Sequence, residues 1–155
     1  MKISTRIEEY LAGPESLRRA IEGMSAAELD AAPIPGKWST RQVICHIADF
    51  EPVYADRMKW IIAEDQPPLP GADHNLFAER LAYDQRDMEE ELQLITVVRQ
   101  NMSRILKTLN EEHFQRTGLH SHDGEVSVAN LLERITHHIP HHIQMIQEKR
   151  DALQV

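Results

Sequence analysis

Cysteine is nearly absent from this chain of 155 residues, with Cys45 as its single example. A lone cysteine cannot form an internal disulfide, so a reducing compartment is expected. The N-terminal residues lack the apolar core of a signal peptide, and no stretch approaches about 18 apolar residues. The sequence therefore predicts a cytoplasmic protein that does not span a membrane.

Basic residues are also scarce. Lysine and arginine together number 17, against 25 aspartates and glutamates, which gives a formal net charge of −8. Nucleic acids and anionic membranes both reward basic patches on a protein surface. The charge balance thus argues against either of these partners, and a small-molecule substrate is the expected one.

Glycine is limited to 6 positions, and few runs alternate between β-branched and polar residues. Both features favour an all-α protein. The chain length fits a single domain over residues 1–155. A domain of this size buries about 68–70% of its unfolded surface, which is enough for a core that needs no disulfides.

Four long segments carry apolar residues at helical spacing, over about residues 3–24, 39–64, 76–109 and 127–151. Ser39 and Ser127 are suitable N-caps for the second and fourth, and Asp84 is a candidate cap for the long part of the third. Four amphipathic segments joined by long connections predict a four-helix bundle.

Prolines punctuate these segments. Gly13-Pro14 predicts a kink or a break in the first helix, and Pro52 interrupts the pattern of the second. Ser25 with Glu28 predicts a capping box for a short turn. The connections over residues 31–37, 65–71 and 117–125 read as loops.

The chain has 9 histidines, and helical geometry sorts those in the second and fourth segments. At about 100° per residue, His46 lies at the edge of the apolar face of the second helix. On the fourth helix His142 falls inside the apolar sector and His138 at its edge, whereas His137 and His141 point away from it.

His138 and His142 share one helical face because they are four residues apart, and His46 on a facing helix would add a third nitrogen. Three protein nitrogens with an open position are typical of a catalytic metal. Burying unpaired imidazoles costs about 1–3 kcal/mol each, which a divalent ion would offset. Asp49 and Glu133 are candidate acceptors for the outer ring nitrogens.

A structural interpretation stays open, because an inward histidine more often makes a local hydrogen bond than binds an ion. Pro140 lies between His138 and His142, where a kink would either separate these two candidate ligands or shape a pocket. The position of Cys45 favours a half-buried structural thiol over a nucleophile. His120 and His122 lie in a polar loop and are weak metal candidates.

Two motifs resemble one known family. Residues 33–49, PIPGKWSTRQVICHIAD, are similar to the opening motif of the DinB/YfiT-like superfamily, where a Gly-Lys-Trp-Ser turn starts the helix of the first metal histidine. Residues 131–142, LLERITHHIPHH, resemble its closing His-x-x-x-His motif, and residues 68–73, PLPGAD, resemble its mid-chain loop. The resemblance covers nearly the whole chain.

This resemblance implies a four-helix bundle, commonly homodimeric, with a metal site at one end of its interior. The family's ligands fall on His46, His138 and His142, the residues that helical register selects independently. Zinc and nickel are the metals it implies. Members include S-transferases and isomerases that use bacillithiol, mycothiol or glutathione, and others described as metal hydrolases.

Three functions follow as hypotheses. The first is a metal-dependent thiol S-transferase that acts on small electrophiles with a low-molecular-weight thiol as co-substrate. The second is a metal-dependent hydrolase, for which Asp49 is the best candidate general base. The third is a metal-binding bundle with no enzymatic activity. Thiol dependence separates the first from the second.

Overall fold

The computed structural model describes residues 2–155, and its four long helices form the predicted bundle. They are α1 (Ile3–Ala20), α3 (Thr40–Ala63), α5 (Met88–Leu106) and α7 (Val128–Leu153). Helices α1 and α3 each pack against both α5 and α7. The all-α, four-helix class with long connections is therefore confirmed. None of the described helices combines the length and the apolar character that crossing a bilayer requires.

The connections contain structure that the sequence did not reveal. Short helices occupy three of them: α2 (Ala26–Asp30), α4 (His74–Arg80) and α6 (Glu111–Phe114). The connections also form a small sheet of three strands, β1 (Pro68–Leu69), β2 (Thr117–His120) and β3 (Gly124–Ser127). Strand β2 pairs parallel with β1 and antiparallel with β3. Loops were expected at these strands. They are too short to show an alternating pattern, and their pairing is non-local.

Most predicted helix starts are confirmed. Ser39 and Ser127 each accept a hydrogen bond at the start of α3 and α7, and the Ser25–Glu28 capping box is present. The cap predicted at Asp84 is wrong, because Asp87 accepts the hydrogen bond from the backbone N–H of Glu90 at the start of α5. Residues 81–87 separate α4 from α5, so the third segment is two helices.

Of the kink or break predicted at Gly13-Pro14, the break is wrong, since α1 continues through these residues, and the kink stays a prediction. Helices α3 and α7 likewise continue through Pro52 and Pro140. A proline removes the N–H that would bond the carbonyl four residues earlier, which for Pro14 is that of Tyr10. Arg99 of α5 replaces the lost donor, because its Nη1 lies 2.7 Å from the Tyr10 carbonyl oxygen.

Arg99 connects all four long helices. Its Nε donates to Glu51 of α3 at 2.9 Å, and its Nη2 donates to the carbonyl of Ile135 on α7 at 2.8 Å. Both charged side chains are 0% exposed, and the guanidinium also stacks on the Tyr10 ring of α1 at 4.4 Å. A buried pair with this many partners satisfies nearly all of its polar atoms.

This polar network lies between two hydrophobic clusters. One includes Ile7, Met58 and Met102, and the other includes Leu17, Ile44 and Ile95. Gly13 lets the network fit, because a Cβ atom there would lie 2.2 Å from Nη1 of Arg99. The bundle core is therefore two apolar layers joined through one central ion pair.

We expect Arg99→Met to destabilise the protein by about 3–5 kcal/mol, because it leaves the Glu51 carboxylate buried without its partner. Denaturant unfolding measures the loss. Arg104→Met is the matched control on the same helix, since Arg104 is exposed, and it should change stability by no more than about 0.5 kcal/mol. Equal stability of the two variants would show that the central pair is not structurally important.

Candidate metal centre

The structure brings together the three histidines selected by helical register. His46 comes from α3, and His138 and His142 come from successive turns of α7. The Nε2 atom of His138 lies 2.9 Å from that of His46 and 3.1 Å from that of His142. These side chains offer ligand atoms within 4.8 Å of one another, so a single ion could contact all three. Pro140 does not separate the pair on α7.

The burial of the histidines agrees with the predicted helical faces. His46 and His142 are each 7% exposed, and His138 is half-buried. His137 and His141 are exposed, as predicted. The rings of the triad also contact one another, with the His138 and His142 centroids 4.6 Å apart. The three imidazoles thus form one compact group.

All three imidazoles are held neutral. Burial, with a smaller contribution from neighbouring histidines, lowers the pKa of His46 to about 4, of His138 to about 2 and of His142 to about 3. A neutral imidazole keeps a lone pair available, which is the form that coordinates metal. The site is therefore ready to accept an ion at neutral pH.

The outer nitrogens of the triad lack the hydrogen-bond acceptors that were expected for them. The buried Nδ1 atoms of His46, His138 and His142 have no hydrogen-bond partner among residues 2–155. The acceptor role expected of Asp49 and Glu133 is wrong, because Asp49 pairs with Arg86 at 2.8 Å and Glu133 pairs with Arg6 at 3.0 Å. This places Asp49, the candidate general base, in an ion pair outside the lining of the histidine cavity.

The donor set fits a divalent ion. Nitrogens bound at about 2.0–2.1 Å to one tetrahedral ion lie roughly 3.3 Å apart, close to the Nε2 spacings of the triad. An ion bound by the three Nε2 atoms would relieve the crowding of their lone pairs. Three neutral protein ligands would leave at least one coordination position open to another molecule.

A cavity of about 560 Å³ opens beside the triad. It reaches residues that sequence analysis did not assign to the site, namely Trp38, His74 and Lys149. The Trp38 ring lies 5.2 Å from that of His46, and the His74 ring lies 6.1 Å from it. Lys149 is 2% exposed and donates from Nζ to the Met145 carbonyl at 3.0 Å.

The sequence could have assigned Lys149 to the site, because Lys149 lies two turns after His142 on the same face of α7. His74 could not, since it begins the short helix α4, whose position depends on the fold. Cys45 is fully buried and donates to the Tyr83 carbonyl, and burial raises the pKa of its thiol to about 12. That environment favours the structural thiol over a nucleophile.

Comparison with known proteins identifies one family. A sequence model described as the DinB superfamily matches residues 9–146. YfiT of Bacillus subtilis, named as a candidate metal-dependent hydrolase, is 29% identical over 136 residues, which cover 87% of this chain and 76% of YfiT. A protein of Oceanobacillus iheyensis named in the same way is 28% identical over 133 residues, covering 86% of this chain and 77% of that protein.

Solved structures show the same architecture. The YfiT structure, described as an unusual four-helix bundle, superposes with a TM-score of 0.92 at 25% identity, covering 99% of this chain and 90% of YfiT. A mycothiol-dependent maleylpyruvate isomerase superposes with a TM-score of 0.73 at 14% identity, covering 92% of this chain and 60% of the isomerase. The second likeness concerns the fold alone.

We expect the purified, tag-free protein to hold about one divalent ion per chain and His142→Ala to lose it, because the variant keeps only two of three converging nitrogens. Plasma mass spectrometry measures the content. His137→Ala is the matched control on α7, since this exposed histidine contacts Arg6 instead of the triad. Metal that persists in His142→Ala, or that disappears equally from both variants, would contradict the assignment.

In metal-free protein, we expect stability to fall as the pH drops below about 6.5. The histidines of the unfolded chain then bind protons, whereas those of the buried triad stay neutral because their pKa values are low. Each histidine therefore lowers the free energy of unfolding by up to about 1.4 kcal/mol per pH unit. Chemical unfolding from about pH 7 to about pH 5 measures this slope. His138→Gln should reduce the slope, whereas the exposed control His137→Gln should keep it.

Proposed function

The chain belongs to the DinB superfamily, and from that premise we propose that it is a metal-dependent thiol S-transferase that acts on small electrophiles. His46, His138 and His142 would hold the divalent ion, with zinc or nickel as the expected metal. The observation that carries this proposal is the convergence of three neutral imidazoles beside an open cavity. A bound metal would lower the pKa of a thiol and keep it ionised near neutral pH.

The composition of the cavity wall favours a thiol over water as the nucleophile. Among residues 2–155, no aspartate or glutamate lines the cavity of the triad. Attack by water is assisted by a general base as well as a metal, and the candidate bases in this wall are imidazoles and not carboxylates. A low-molecular-weight thiol needs no such base once it is coordinated, because the metal keeps it largely ionised. A wall without carboxylates also avoids repelling an anionic sulfur.

Lys149 and Trp38 supply the remaining binding features. The Lys149 ammonium lines the cavity on the same helix as two of the histidines and can attract a thiolate or a carboxylate of the thiol co-substrate. The Trp38 ring contacts His46 and gives the pocket an apolar wall for the electrophile. In a substitution, the sulfur would form a bond to the electrophilic carbon while the bond from that carbon to its leaving group breaks, and the leaving group departs as an anion. In an addition to an activated double bond, the π electron pair would move to the neighbouring atom, which takes a proton from solvent. In both cases the proton of the thiol leaves to solvent or to His74.

A metal-dependent hydrolase is the second candidate. Two relatives carry that description in their names, and His74 lies at the cavity with its ring 6.1 Å from that of His46. An exposed imidazole at that place is a candidate general base for water. Asp49 is less well placed for this role than His74, because it lies outside the lining of the cavity and pairs with Arg86. Homodimer formation stays a prediction.

The test of the proposal presents zinc-loaded and nickel-loaded protein with bacillithiol, mycothiol, glutathione and cysteine, each with a chromogenic electrophile. We expect turnover that requires both metal and one of the thiols, and a loss of at least about a hundredfold in His46→Ala. His137→Ala is the matched control, because His137 is exposed, contacts Arg6 and lies outside both the triad and its cavity.

Thiol-independent turnover of an ester or amide would support the hydrolase instead, and His74→Ala should then abolish it while leaving metal content unchanged. Metal binding without turnover in either assay would contradict both enzymatic proposals. It would leave the non-enzymatic metal-binding bundle as the function to pursue.

A further inference from the structure

A second cavity, of about 670 Å³, lies along the C-terminal half of α3, outside the histidine cavity. The segment from Pro68 to Phe77 forms its other wall. Most of the lining is apolar, with Val53, Trp60, Leu69 and Phe77 among its members. This composition and volume are typical of a site for a small organic molecule.

Arg57 is the exceptional residue of this cavity. It lines the cavity yet is only 6% exposed, and its Nη2 donates to the Pro70 carbonyl at 2.6 Å. Its buried Nε has no hydrogen-bond partner, and no carboxylate of residues 2–155 forms a salt bridge with it. A buried guanidinium without an anion is costly, so its retention needs a reason.

The acidic residues of the same cavity do not supply this anion. Asp56, Glu64 and Asp73 also line it, but all three are exposed. Asp56 accepts a hydrogen bond from Trp60, and Asp73 accepts two from the first N–H groups of α4. The cavity therefore has one buried positive group inside and several negative groups at its exposed edge.

We propose that this cavity binds a small organic monocarboxylate with an apolar body, and that Arg57 receives the carboxylate. The Nη1 donors and the second N–H of Nη2, which the Pro70 carbonyl leaves free, suit the paired oxygens of a carboxylate. The apolar lining takes the body of the ligand. The exposed acidic residues select against a second negative charge, which disfavours phosphate and dicarboxylates.

The Arg57 site and the histidine triad share one face of α3, but the proposed Arg57 site does not require the triad to bind metal. His46, Phe50, Val53 and Arg57 follow one face of α3, and the first and last lie roughly 16 Å apart along the helix axis. The Phe50 ring lies 4.7 Å from that of His46 and 5.4 Å from that of Phe77, so the aromatic pair stands between the two cavities. No metal is needed at Arg57, and the proposal stands whether or not the chain is an S-transferase.

Isothermal titration calorimetry measures the binding of 3-phenylpropionate, 3-phenylpropionamide and inorganic phosphate. Each titration uses the protein as purified and again after chelation of metal. We expect the carboxylate to bind in both preparations and more tightly than the amide or phosphate. Arg57→Gln should weaken carboxylate binding by about tenfold or more, as expected for loss of a charge-assisted hydrogen bond. Arg104→Gln is the matched control, because Arg104 is exposed on α5 and lies outside the cavity.

Ala72→Trp provides an independent variant, since Ala72 lines the cavity and a larger side chain should fill it. Its thermal melt, beside that of Arg57→Gln, shows whether each variant folds, and loss of carboxylate binding in a folded variant supports the proposal. Binding that disappears on chelation would place the carboxylate on the metal and overturn it. Absence of any binding, no preference over the amide, or unchanged affinity in the folded variants would overturn it equally.

Discussion

A guanidinium at the centre of a helix bundle must find acceptors for five N–H donors, and this requirement fixes how the four long helices meet. Arg99 finds its acceptors on Glu51, on the Tyr10 carbonyl and on the Ile135 carbonyl, which lie on three different helices. His46 lies just over one turn before Glu51, and His138 lies one turn after Ile135. The central pair thus sets the register between α3 and α7 that brings the histidines together.

The long connections matter because α3 carries functional groups on a face that the other long helices do not fill. Phe77 of α4 packs on Phe50, and the Pro68–Phe77 segment lies opposite Arg57. The sheet holds this segment in place, since Leu119 and Ser121 donate backbone hydrogen bonds to Pro67 and Leu69. Tight turns between helices would leave that face open to water. The long helices therefore form the core, and the connections complete the pocket.

Helical periodicity was sufficient to predict the fold class and the triad, because the two motifs lie on long, regular helices whose faces follow from residue spacing. The same reasoning did not decide between a kink and a break at Pro14, because the donor that replaces the lost N–H comes from a distant helix. It also missed His74 and the sheet, which are positioned by non-local packing. Arg57 was visible on the face of His46, but only its burial without a carboxylate marks it as unusual.

The charge distribution supports anionic ligands despite the acidic composition. The net charge is −8, yet the two cavities contain buried Lys149 and buried Arg57, and the triad consists of neutral donors. Neutral imidazoles would leave the full charge of a divalent ion to be balanced by whatever enters the open position. Thiolate, hydroxide and carboxylate all meet that need, whereas a cation does not. An acidic exterior would disfavour polyanions, and the small anions that we propose as ligands would instead meet the buried positive groups of the two cavities.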